Sequence, residues 1–453
     1  MSFEKLRQRA GASPIRHEKT RSQLTAYLEG VSRPESIGIS LPPKTRALEL
    51  VLNWPGLVVN TVESRLDVEG FLLADGKDTD DQLWEWWQTN DLDLESSLLH
   101  REVLGLGRAF VIVGNHPDEG TPAITVHTEV GMAVNIDPLT REVAEAVRTY
   151  KDGEDTEWAA HYMPGQTDYY YKTVGGYWAK DGAKTLLHPS PLPAVIPFVN
   201  RVRIGDHVGR SEMADVLGLT DAACRTLTNM QLAQELLGAP LRGLFGVDDE
   251  DMEGPNGEPV DAIDLYMGRL LTSENAEAKL MQLAGADLRN FTEVIQTYAR
   301  QVSILTGIPQ HYLGIGSDNP ASADAMRASE NQLVKRVERH QRAFGEAWEK
   351  VMRVAMAIQG KKIDRATRLE TVWRNAATPT LASKMDAAVK GKESGLYGPD
   401  TALKMAGFSL EERRAAAMER IDPMTTLGLG PKPGETPDLQ VIEDLGAMGV
   451  GDR

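Results

Sequence analysis

A helical period runs without interruption from Ser322 to about Gln359. At ~1.5 Å per residue such a helix is roughly 55 Å long, and this sets the scale of the fold. Its apolar stripe is Leu333, Val337, Phe344, Trp348, Val351, Ala355 and Ile358, with Gly345 as a candidate kink and Gly360 as the stop. Two shorter helical runs precede it. The first spans Ser211–Leu237, with Met213, Val216, Ala223, Leu227, Met230 and Ala233 on one face. The second spans Ala286 to about Thr306, with Leu288, Phe291, Ile295, Tyr298, Val302 and Leu305 three or four apart. Between them, from Leu237 to Leu283, lies a stretch with no helical period and ten acidic against three basic residues, including the run Asp248, Asp249, Glu250, Asp251.

Upstream the pattern differs. Leu48–Trp54 reads as a helix ending before Pro55, followed by strands at Leu57–Val62 and Leu66–Leu73. Helices are expected over Asp78–Gln88, where Trp84 and Trp87 share a face suited to core packing, and over Leu92–Leu104, ended by Gly105 and Gly107. Alternation then predicts strands at Ala109–Val113, Ala123–Thr128, Val143–Tyr150, Glu157–Tyr162 and Asp168–Thr173, forming a small antiparallel sheet. In the last strand Tyr170 should face away from Tyr169 and Tyr171. Pro189, Pro191, Pro193 and Pro197 read as an extended linker. After the long helix come a short strand, Leu369–Trp373, and helices at Leu381–Glu393, Pro399–Gly407 and Leu410–Ile421. The tail from Pro423 is rich in Gly and Pro and is expected to be flexible. The fold class is therefore α+β, and 453 residues allow two or three domains.

Several function classes find no support. No apolar run is long enough to span a bilayer, and the charged N-terminus does not read as a signal peptide. Cys224 is the only cysteine, so no intrachain disulfide can form and a reducing compartment fits. There is no phosphate-cradling Gly-x4-Gly-Lys-Ser/Thr loop, no His-Glu-x-x-His helix, no nucleophile elbow and no zinc or calcium spacing. Catalytic residues, metals and cofactors are accordingly not expected. A net charge of −17 disfavours tight non-specific binding to nucleic acid.

The segment Leu305-Thr306-Gly307-Ile308-Pro309-Gln310-His311-Tyr312-Leu313-Gly314, followed by Asn319-Pro320-Ala321-Ser322-Ala323-Asp324-Ala325, resembles the portal proteins of tailed double-stranded DNA phages. So does Pro197-Phe198-Val199-Asn200-Arg201 leading to Gly209-Arg210-Ser211-Glu212. The likeness is to the siphophage type of Gram-positive hosts and covers roughly residues 20–420.

The resemblance implies a portal fold and a homo-oligomeric ring of twelve subunits at one capsid vertex, in the virion, assembled in the host cytoplasm. It would be the channel for DNA packaging and ejection. The major capsid protein, the terminase large subunit and a head-tail adaptor would be its partners, with double-stranded DNA passing through and no membrane involved. By the same resemblance residues 1–200 form the N-terminal wing, 201–237 the first stem helix, 238–285 the clip, 286–308 the second stem helix and 309–321 a tunnel loop. Residues 322–374 return to the wing, 375–421 form the crown, and 422–453 are the tail.

Site expectations follow. Gln310, His311, Tyr312, Gly314, Gly316, Ser317, Asp318 and Asn319 would face DNA, the two glycines permitting positive φ and motion. Asp215, Asp221, Arg289, Glu293, Gln296 and Arg300 would line the stem, where weak contacts let DNA slide; for the acidic ones ordinary solvated positions are as good a reading. Asp248–Asp251 would dock the motor or adaptor, and Arg413, Arg414 and Arg420 would sit in the crown. Lys335, Arg336, Arg339 and Arg342 on the long helix suit intersubunit salt bridges or a solvated face better than a nucleic-acid patch. Two alternatives stay open: a cytosolic enzyme holding a phosphate ligand at Gly314–Asn319, and a minor head or adaptor protein that lines no channel.

Overall fold

The computed structural model of the chain describes residues 3–11, 15–16, 19–32, 50–73, 79–116, 120–237, 242–245, 279–282, 288–315, 323–361, 368–377, 379, 381–408, 412, 413 and 416. The chain divides into two compact units, residues 1–377 and 378–453. The mixed α+β class holds in the first unit.

The N-terminal elements are α1 (Phe3–Ala10), the short pair β1 (Ile15–Arg16) and β2 (Lys19–Thr20), and α2 (Arg21–Leu28). Thr20 caps α2 through a reciprocal capping box with Gln23. Next, α3 spans Trp54–Glu63, overturning both the helix expected to end before Pro55 and the strand expected at Leu57–Val62. Pro55 starts this helix instead of stopping it. In the first turn its missing N–H costs nothing, and the Asn53 side chain caps the next free donor, Gly56 N, at 2.9 Å. Val58, Val59 and Val62 are fully buried, so packing overrides their preference for strands.

Strand β3 (Val68–Leu73) is followed by α4 (Asp81–Thr89), capped by Asp80, and α5 (Leu92–Leu106). Gly105 lies inside α5; only Gly107, in the left-handed conformation, ends it. The expected single sheet is two sheets. Strands β4 (Arg108–Asn115) and β5 (Pro122–Thr128) join β11 (Val195–Val199) in the order β11-β4-β5. A five-stranded antiparallel meander holds β6 (Met132–Ile136), β7 (Val143–Lys151), β8 (Glu157–Met163), β9 (Gln166–Lys172) and β10 (Trp178–Leu187). The expected alternation in β9 is present: Tyr169 packs on the main core, while Tyr170 stacks on Phe3 with ring centroids 4.0 Å apart. The proline-punctuated linker contains β11, whose Pro197 is tolerated because the strand lies at a sheet edge.

Two helices follow, α6 (Leu217–Leu237) and α7 (Arg289–Thr306), and they pack against each other. Between them only an antiparallel pair is described, β12 (Arg242–Phe245) with β13 (Lys279–Gln282). The long helix is broken. A first piece, α8 (Ala323–Ser329), ends at Glu330, and α9 runs Asn331–Ile358. It continues through Gly345, which leaves room for Trp373: Nε1 of that indole lies 3.1 Å from where a Cβ would sit. Strand β14 (Leu369–Trp373) pairs antiparallel with β3, so the two ends of this unit are sewn together.

The main core gathers around aromatic rings. Trp348 of α9 meets Trp87 at 4.8 Å and Phe198 at 4.9 Å, both edge-on, and His100 stacks on Phe344 at 5.2 Å. Of the tryptophan pair expected to pack in the core, Trp87 is fully buried and Trp84 is partly buried against the same core. The second unit contains α10 (Leu381–Glu393) and α11 (Pro399–Ala406), held by Ala388, Ala402, Ala406 and Tyr397.

Candidate functional site

The motifs quoted from the sequence converge where α6, α7 and α9 meet. On α7, Arg289, Glu293, Gln296 and Arg300 are all exposed, while Ala299 and Val302 are buried. The apolar stripe ends differently from expectation. Leu305 is 55 % exposed and Thr306 is buried in its place, its hydroxyl donating to Val302 O at 2.7 Å. The position after Val302 on the inner face is four residues on, not three, and the left-handed Gly307 then closes the helix.

Ser211–Val216, expected to be helical, is a series of turns that delivers Glu212 into the protein. Its carboxylate accepts Asn200 Nδ2 at 2.7 Å and pairs with the Arg336 guanidinium of α9. Arg336 also donates to the terminal carbonyl of α7, Thr306 O, at 2.5 Å. His340 Nε2 lies 3.5 Å from the same carboxylate. Burial opposes ionisation of Glu212, but the Arg336 charge and the bonds from Arg336 and Asn200 outweigh it and hold its carboxyl below the usual range. His340 is pushed down to about 4, first by burial and then by Arg339 and Arg336, against the pull of Glu212. One buried ion pair thus joins the chain leading into α6, the end of α7 and the long helix. Arg336 therefore bonds within its own chain, correcting the solvated or intersubunit role expected for it. Lys335, Arg339 and Arg342 are exposed.

Gly209 makes the close approach possible. At φ +78° its backbone lies so near Gly107 that a Cβ would fall 2.1 Å from Gly107 O.

The loop after α7 is a short 3-10 turn, Gln310–Leu313, ending at Gly314 with φ +76° as expected of that glycine. Gln310 and His311 are exposed. Tyr312 is turned inward, contrary to its expected DNA-facing position. Arg65 donates to its hydroxyl at 2.9 Å, and that hydroxyl donates to Glu330 at 2.8 Å, at the break between α8 and α9. Arg65 pairs with Glu330 at 3.3 Å and reaches Ala376 O at 3.0 Å. Gly316, Ser317, Asp318 and Asn319 lie outside the described residues, as do Asp248, Asp249, Glu250 and Asp251, and Arg414 and Arg420.

Other expected wall residues have partners within the chain. Asp215 pairs with Arg210 at 2.5 Å and stays exposed. Asp221 accepts the Tyr27 hydroxyl at 2.9 Å, so this acid faces α2 and is a correction to its expected place on a channel wall. Arg413 is buried and pairs with Asp400 at 3.1 Å, so it is no free crown cation. Reading the sequence missed His100, Asn200 and Glu212 as structural polar groups. A signal existed for the first: Ser96, Leu99, His100 and Val103 fall on one helical face.

Residues 19–424 match the family of phage portal proteins of the SPP1 Gp6-like kind. The chain is 37 % identical over 421 residues to the portal protein of Mycobacterium phage L5, covering 90 % of this chain and 86 % of that protein. It is also 37 % identical over 423 residues to the portal protein of Mycobacterium phage D29, with the same coverage. A chain from the neck of a native gene transfer agent particle, computed with C12 symmetry, gives a TM-score of 0.45 at 16 % identity, over 85 % of this chain and 98 % of that one. The chain belongs to the phage portal protein family, the structural head–tail connectors of virions. Among the described residues no helix is long and apolar enough to cross a membrane.

Proposed function

We propose that twelve copies of this chain form a ring at one capsid vertex, through which double-stranded DNA enters and leaves, with no catalysis by the ring itself. The likeness to the phage L5 and D29 portal proteins over nine-tenths of the chain carries this reading. Helices α6 and α7 would form the stem, and the fully exposed polar side of α7 supports it. DNA has to slide, so a wall that grips phosphates weakly suits the task. Residues 238–285 would be the clip that docks the terminase motor during assembly in the host cytoplasm and the head-tail adaptor afterwards. Residues 309–321 would narrow the channel, and 375–421 would face the head interior.

Light scattering and electron microscopy of the purified chain test the reading. A hollow ring of about twelve chains is expected of such a closed assembly. A stable monomer or dimer whose melting responds to a phosphate ligand would return the enzyme alternative. Deleting 314–318 should spare the ring and block packaging; DNA-filled heads from that mutant would remove the loop's role. Reversing the charges of Asp248–Asp251 should weaken capture of terminase, and unchanged capture would remove the clip's.

A further inference from the structure

Helices α5 and α9 meet through their buried sides, where Trp348 Nε1 donates to His100 Nε2. Each therefore turns its opposite side outward, and the two outward sides differ in chemistry. On α9 Lys335, Arg339, Arg342 and Lys350 are exposed, and none has an ion-pair or hydrogen-bond partner among the described residues. Only Glu338 and Glu346 oppose them on that stripe. On α5 the outward side shows Leu94, 63 % exposed, and Leu98, 49 % exposed, one helical turn apart. Beside them stand Asp91 and Glu95, whose carboxylates are likewise unpartnered among the described residues. The one cation of α5, Arg101, is drawn aside to Asn60 Oδ1 at 3.2 Å.

A basic helix face and an acidic, leucine-bearing one on the same subunit are complementary to each other and not to themselves. A two-fold contact centred on either face alone would set like against like, whereas head-to-tail contact satisfies both faces and can close a ring. We propose that a second copy of this chain lays its α5 face, centred on Leu94 and Leu98, along the cationic stripe of α9. This contact rests on the ring reading and names the surfaces that build it.

The test uses two full-length variants, Lys335→Glu/Arg339→Glu and Asp91→Lys/Glu95→Lys. Lys335, Arg339 and Asp91 are exposed and Glu95 is partly exposed, so circular dichroism should match the parent. Like charges across a contact repel, so each variant alone should lose ring by more than about tenfold in light scattering. Mixed one to one, the two variants should assemble again, because every contact in an alternating ring then pairs opposite charges. Rings of parental mass from either variant alone would overturn the proposal, and so would folded variants that fail to assemble when mixed. A parent chain that forms no ring would instead sink the conduit reading itself, so the two failures are distinguishable.

Discussion

The indole Nε1–H of Trp348 donates to Nε2 of His100 at 3.0 Å, and both rings are fully buried. That bond requires an unprotonated imidazole nitrogen, and burial holds His100 down to about 3 from an ordinary 6.5. His340 is held down to about 4. Both rings stay neutral in the folded chain and bind a proton once unfolded. Their stabilisation is complete above pH 6.5 and is lost as pH falls from there toward 4. Each contributes a slope of up to about 1.4 kcal/mol per pH unit in that window. Thermal unfolding followed at pH 7, 6 and 5 should show this fall, and His100→Gln or His340→Gln should flatten it. An unchanged slope in both variants would show that other groups set the acid sensitivity.

Removing Arg336 leaves the Glu212 carboxylate buried with its main counter-charge gone. Arg336→Met should cost about 3–5 kcal/mol in denaturant unfolding, the range found for one broken half of a buried pair. Adding Glu212→Gln should recover part of the loss, since no bare charge is then left inside. Additive losses would mean that the two side chains act independently.

Gly209→Ala meets two obstacles, a left-handed backbone and a carbonyl oxygen in the path of its Cβ. Gly314→Ala meets only the first, because nothing lies within 4 Å of its Cβ position. The second variant should lose about 1–2 kcal/mol, and the first distinctly more. Melting temperatures of the two variants compared side by side check the order.

Tyr312→Phe removes the hydroxyl that bridges Arg65 and Glu330 but leaves their direct pair at 3.3 Å. The expected loss is about 1 kcal/mol. Faster amide exchange at Gln310–Leu313, with α9 unchanged, would show that the hydroxyl anchors the turn.

What could be read from the sequence followed distance along the chain. Most of the α7 stripe, the α9 stripe, the five strands read from alternation and helices α10 and α11 were visible because neighbouring residues encode them, while the helix expected at Leu410–Ile421 lies mostly outside the described residues. Val58 and Val59 misled, since their strand preference is local while the Asn53 cap and the core decide for helix. Strand β11 hid among prolines because its partner, β4, lies far back in the chain. The pairing of Leu73 with Leu369 has no local signature at all. Asn200 and Glu212 stood in quoted motifs, yet only folding shows that Asn200 bonds Glu212 and that Glu212 turns toward Arg336. Tyr312 shows the converse: a polar residue in a loop motif looked available and proved to be held from inside.

The lone thiol, Cys224, is enclosed, its sulfur accepting from Leu52 N at 3.2 Å. Burial also pushes its ionisation up, which makes it a sluggish nucleophile. Any cysteine engineered onto an outer helix would thus be the single address for a maleimide dye. Distances across an assembled particle could be measured from such tags without first stripping the native sequence of sulfur.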